Sequence, residues 1–196
     1  MSSKLQQRLF ACACAVLVLT IGATLAHANG LFHALTGGIS KVDSSAKTLT
    51  VRTADGAEHA FKYTDKTAVR DSQVAGHEVK KESVDSYLAG KQGTQVVVRY
   101  TEMGSDKVAA SVDDYGKEGL KVARGTINHA DMAAHTLTIK TDDGGKKTFD
   151  VSRDAVVEAD HGAVAGAKWS YQEGAQVTVH YASIAGKDIA HFIHKL

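Results

Sequence analysis

The chain has 196 residues, of which 43% are hydrophobic, 23% charged and 6% aromatic, with a formal net charge of +1 and no proline. Balanced charge argues against a dedicated nucleic-acid binder, which carries a strong basic bias. The missing proline leaves the turns to Gly, Asp, Asn and Ser.

Residues 1–28 read as a secretory signal peptide. Lys4 and Arg8 form a basic start, residues 9–21 an apolar run, and Ala26-His27-Ala28 a small-x-small pattern, with cleavage expected after Ala28. The run is too short for a transmembrane anchor and no second span follows, so no anchor is expected once the signal is removed. Leu9-Phe-Ala-Cys12 is a poor lipoprotein box, because it lies inside the apolar run. Cys12 and Cys14 leave with the signal, so the exported chain has no disulfide, no thiol nucleophile and no Zn–thiolate site. It must stand on its hydrophobic core. Removing Lys4 and Arg8 from the 23 Lys+Arg leaves 21 against 22 Asp+Glu. The expected location is the periplasm or the medium.

The exported part is organised by a repeat. Gly37-Gly-Ile-Ser-Lys-Val-Asp-Ser-Ser-Ala-Lys-Thr-Leu-Thr-Val-Arg-Thr-Ala-Asp-Gly56 returns as Gly125-Thr-Ile-Asn-His-Ala-Asp-Met-Ala-Ala-His-Thr-Leu-Thr-Ile-Lys-Thr-Asp-Asp-Gly144, at an offset of 88. Further on, Gly93-Thr-Gln-Val-Val-Val-Arg-Tyr100 matches Gly174-Ala-Gln-Val-Thr-Val-His-Tyr181 at an offset of 81. The first copy therefore carries about seven extra residues, around residues 77–83, of the kind that sit in surface connections. The expected domains are a first β-barrel repeat over residues 29–113, a short polar linker over 114–122 and a second barrel over 123–196.

Within the first copy, residues 39–43 read as a short strand. Lys47-Thr-Leu-Thr-Val-Arg-Thr53 alternates with Leu49 and Val51 on one face. Asp55-Gly56 closes a hairpin. Residues 58–63 turn Phe61 and Tyr63 inward. A helix is expected over residues 81–88, then an inward row of Val96, Val98 and Tyr100, and a last strand with Val108, Ala110 and Val112 inward. The second copy repeats this order, with residues 165–172 as its helix candidate. Five short strands with a small helix after the third is the plan of an OB-like barrel. The fold class is thus all-β: two tandem five-stranded barrels after a signal helix. An SH3-like barrel is the near alternative, and one open two-sheet sandwich the third.

The pattern Gly-x-Ile-x-x-Val-Asp, Lys-Thr-Leu-Thr-Val, Asp-Gly, Phe, Gly-x-x-Val-x-Val, Val-Ala resembles a family of small exported bacterial β-barrel (OB-like) domains of unknown function, here in tandem. These are turn and core residues. The resemblance implies a non-enzymatic module of the cell envelope and brings no catalytic residue with it.

Three groups of residues are candidate sites. If Ile127 and Leu137 face each other, His129 and His135 are a directly opposed pair, with Asp131 in the turn. Opposed Cβ atoms lie about 4.5–5.5 Å apart, a spacing suited to Cu(II), Ni(II) or Zn(II). The plainer reading is a solvated rim, since the equivalents Lys41 and Lys47 are basic and a third ligand is not evident. In one register His180 and His191 are diagonal neighbours on the outer face, and a one-residue slip sends His191 inward. His194, three residues beyond His191, falls on the other face. The plainer reading here is surface histidines at an edge. Trp169, the only tryptophan, aligns near Tyr87 and is expected to plug a barrel end, with ligand stacking as the second reading.

No nucleophile elbow, zinc-protease helix or phosphate loop occurs, and no carboxylate is expected at an inward strand position, so no enzyme is expected. The function expected is a non-catalytic exported binding or scaffold module acting on an envelope protein or glycan. Histidine-mediated divalent-metal binding is the alternative. The pattern leaves the oligomeric state open.

Overall fold

The structure is a computed structural model and describes residues 32–72, 77–78, 83–159, 162–165 and 171–196. The proposed signal peptide and Trp169 lie outside them. So does most of the second helix candidate, whose first residue, Ala165, ends a strand instead.

In the first half, β1 (Phe32–Asp43), β2 (Thr48–Arg52), β3 (Glu58–Lys62), β6 (Gln95–Met103) and β7 (Asp106–Asp114) run in the order β3-β2-β1-β6-β7. The set closes where Lys62 on β3 meets Val108 on β7. Two added strands, β4 (Ala68–Asp71) and β5 (His77–Glu78), extend the sheet beyond β7, with β4 parallel to it. In the second half, β8 (Lys121–Asp131), β9 (Thr136–Thr141), β10 (Lys146–Ala159), β12 (Gln176–Ile184) and β13 (Lys187–Lys195) close in the order β8-β9-β10-β13-β12, and β11 (Gly162–Ala165) flanks β10. The third and fifth strands are parallel and the other pairs antiparallel. That is the strand order of an OB barrel, and closure leaves no open two-sheet sandwich.

Alternation decides what each barrel encloses. Leu49, Val51, Phe61, Val96, Val98 and Val112 are fully buried in the first, and Leu137, Ile139, Phe149, Val157, Val177 and Val179 in the second. Removing such a side chain loses its transfer energy and leaves a cavity, about 3–5 kcal/mol for Phe61→Ala or Phe149→Ala. Gly37 and Gly125 mark where the first hairpin folds closest on itself. A Cβ on Gly37 would collide with the Arg52 carbonyl, and one on Gly125 with the Lys140 carbonyl.

The short helix α1 (Val84–Leu88) is capped by Ser83, whose side chain accepts from the Ser86 N–H at 3.2 Å. It lies within the expected 81–88 stretch and buries Val84, Tyr87 and Leu88 at one barrel end. Asp114 fastens that end. Its carboxylate accepts from Tyr87 Oη at 2.8 Å, Lys91 Nζ at 2.9 Å and the Gly116 N–H at 2.7 Å. Asp114 is 1% exposed, so the expectation that no carboxylate sits inward is corrected. Adjacent strand residues face opposite ways, and of the pair Asp113-Asp114 the second must turn in.

Bulges correct several expected registers. In β1 the pairing skips Ser40, and in β8 it skips Asn128. Between β6 and β7 it skips Ala110, so Ala109 is buried and Ala110 is exposed rather than inward. Between β12 and β13 it skips His191. Each extra residue reverses the alternation beyond it.

The two barrels share a packed seam. Ala34 and Val97 of the first bury against Val156 and Phe192 of the second, with Tyr115, Leu120 and Ala163 packed around them. The connection between β7 and β8, residues 115–120, thus places two apolar side chains, Tyr115 and Leu120, against the seam. Glu158 reaches across to accept from the Ala34 N–H at 2.8 Å and stands 3.1 Å from His33 Nδ1.

Candidate functional site

The hairpin expected to carry a metal pair does not form one. Because β8 bulges at Asn128, Ile127 pairs with Ile139 and His129 with Thr138. His135 sits in the turn with φ of 53° and faces no strand partner. His129 is exposed, with Nδ1 3.4 Å from Glu173 Oε1. Asp131 spends one oxygen on the turn, accepting from the Ala133 and Ala134 N–H groups at 2.9 Å each, and these bonds lower its pKa. Lys41 and Lys47 likewise do not face each other: Lys41 pairs with Thr50, and Lys47 reaches Asp85. Among the described residues no group of three or more His, Cys, Asp or Glu is placed to hold a metal ion.

His180 and His191 both reach the seam, by different routes. His180 pairs with Phe192 on one side and Val122 on the other, and its ring lies 5.4 Å from the Phe192 ring. Burial, and then the neighbouring His194, lower its pKa to about 4. His191 is the bulged residue of β13. Its ring packs 5.1 Å from Tyr115, and its Nε2 is buried without a hydrogen-bond partner. Burial lowers its pKa as well. His194 is exposed, opposite Thr178. The diagonal His180–His191 pair on one outer face does not occur.

The outer faces of the barrels offer little to a stacking ligand. OB barrels commonly bind through the face of strands two and three and its loops. Here the outward residues of β2, β3, β9 and β10 include Thr50, Arg52, Lys62, Thr138 and Thr148. Among the described residues Phe32 is the one exposed Phe or Tyr, and it lies at the seam.

The seam is where polar groups converge. Asp113, 5% exposed in its side chain, accepts from Arg70 at 2.9 Å and from Arg99 at 3.1 Å. The same Arg99 nitrogen bonds the Asp154 carbonyl of the second barrel at 2.9 Å. Two guanidinium groups thus converge on one carboxylate. On one side lies a cleft of about 300 Å³, lined mainly by Phe32, Ala110, Val156, Ala163 and Val164 with Arg99 and Ser111. On the other lies one of about 390 Å³, lined by Arg70, Tyr115, Arg153, Ile184 and His191 among others. Burial, with Asp113 behind it, pushes the Tyr115 phenol up. A third cleft of about 600 Å³ runs from Gly38, Arg52 and Gln95 of the first barrel to Val122 and His180 of the second. All three draw their walls from both halves of the chain.

Sequence reading missed Arg99, Ser111, Asp113, Tyr115 and Glu158. The available signal was the odd face of each strand: outward-facing Arg99 and Asp113 lie on neighbouring strands that alternation had already oriented. No family model matches the chain. No curated protein matches it either. Among the described residues no helix is long and apolar enough to cross a membrane.

Proposed function

We propose that the protein is an exported, non-catalytic binding module of the cell envelope, and that it holds its partner in the seam between its barrels. The chain reads as a duplicated OB-like domain of the kind bacteria export. The equivalent glycines Gly37 and Gly125, and bulges at equivalent places, support that reading. The observation that carries the binding site is the placement of three clefts whose walls come from both barrels. Outer faces poor in exposed aromatics disfavour a glycan laid along a barrel side. The experiment is site-specific photo-crosslinking in the producing cell. A crosslinker at Ala110 or Ile184, both at seam clefts, is expected to capture an envelope component. One at Thr148, on the outer face of β10, is expected to stay silent. Capture from Thr148 alone, or from none, refutes the reading. Mass spectrometry of the same exported protein is expected to find Asn29 at its N-terminus.

A further inference from the structure

We infer that the seam cleft of about 300 Å³ binds a small amphipathic monocarboxylate, with Arg99 and Ser111 holding its head and the apolar wall its body. The inference rests on the reading of the seam as the binding site and names the ligand class.

The first observation is a pair of unmet donors. Among the described residues three buried side-chain polar atoms lack a partner: Arg99 Nε, Ser111 Oγ and His191 Nε2. Two of them belong to residues lining this one cleft. Arg99 and Ser111 are a directly paired couple across β6 and β7, so their side chains leave the sheet on the same face, with Cβ atoms about 4.5–5.5 Å apart. Ser111 is 4% exposed. Leaving a buried donor unmet carries the full desolvation penalty of that group. Two such costs side by side are compensated when a ligand supplies two acceptor oxygens, as a carboxylate does.

Charge and wall composition narrow the class. Arg70 and Arg99 share the carboxylate of Asp113, and both line the cleft, so an anion entering it meets two guanidinium groups. The rest of the wall is apolar, with Phe32, Ala110, Val156, Ala163 and Val164 among it. Sugars and free phosphate would strand their polar groups against it. A volume of about 300 Å³ is at the small end for ligand clefts, which suits a short acyl chain rather than a long one. Both donor atoms are sealed from solvent. The head group therefore reaches them as the exposed Phe32 side chain swings aside.

The test is calorimetric titration of the purified protein with sodium octanoate, with 1-octanol (the body without the charge) and sodium acetate (the head without the body) alongside. Octanoate is expected to bind saturably, one per chain, and at least tenfold more tightly than either control. Two variants locate the site. Ser111→Ala removes an unmet hydroxyl, so it is expected to melt no lower than the parent while binding octanoate about tenfold more weakly, the worth of one hydrogen bond to a charged group. Ala110→Phe is expected to abolish binding by filling the cleft. The matching bulge of the second barrel holds His191, so this position has precedent for a large ring. Octanoate that fails to bind the folded protein, binds no better than octanol, or binds both variants as it binds the parent overturns the inference. Seam crosslinks without octanoate binding overturn it while leaving the binding-module reading in place. Loss of both overturns both.

Discussion

Lowering the pH from 7 to 4.5 is expected to weaken the second barrel through His180. The imidazole is half-buried between Val122 and Phe192, and its pKa falls from 6.5 to about 4 as burial and His194 disfavour the charged form. The unfolded chain titrates it near the ordinary value, about 6.5. Unfolding therefore takes up a proton between these two values. The stability held in the neutral ring is complete above about pH 6.5 and is lost as the pH falls toward about 4. A difference of about 2.5 units at 1.36 kcal/mol each sets a ceiling of roughly 3 kcal/mol. His191, also lowered by burial, adds in the same direction. The carboxylates held low by hydrogen bonds, such as Asp131 and Asp188, contribute above 3.8 and lose their stability only below that, outside this window. Urea unfolding at several pH values between 7.5 and 4.5 measures the slope. His180→Gln is expected to flatten it. A variant that loses as much stability over this range as the parent refutes the assignment.

Three other outcomes are expected. Gly37→Ala or Gly125→Ala drives a methyl into a backbone carbonyl that cannot rotate away, and should cost about 1–3 kcal/mol or more in urea unfolding. Asp114→Ala leaves Lys91 and Tyr87 without their shared acceptor at a sealed barrel end, and should cost about 3–5 kcal/mol by thermal melting. Titration with Cu(II), Ni(II) or Zn(II) should reveal no micromolar site that requires both His129 and His135. One abolished by either alanine substitution would show that the turn rearranges around a metal.

The barrel was legible because its evidence is local and periodic. Leu49 and Val51 alternate with Thr48, Thr50 and Arg52, Val98 and Tyr100 flank Arg99, and Asp55-Gly56 forms the turn such alternation needs. What failed was everything one bulge away. A bulge adds one residue without a compositional mark, so Asn128 shifted His129 off His135, and Ala110 was assigned the burial that belongs to Ala109. The seam was hidden for another reason. Its polar half is made by residues 33, 99, 113 and 158, which are far apart in sequence and acquire meaning only once the barrels touch. Tyr115 and Leu120, read as part of a polar connector, are half-buried there.

The parallel pairing that closes each barrel also sets an order of assembly. The third strand of either half has no closing neighbour until the fifth is made, so neither barrel completes before its last segment is available. A chain produced from its N-terminus can seal the first barrel once Asp114 has emerged, while Phe192 is still to come. During that interval Ala34 and Val97 form a bare apolar spot that only the finished second half covers. A half-made chain thus displays a sticky surface that the finished protein conceals. Truncation after the first barrel would leave that surface open permanently, so such a fragment should self-associate more strongly than the full chain.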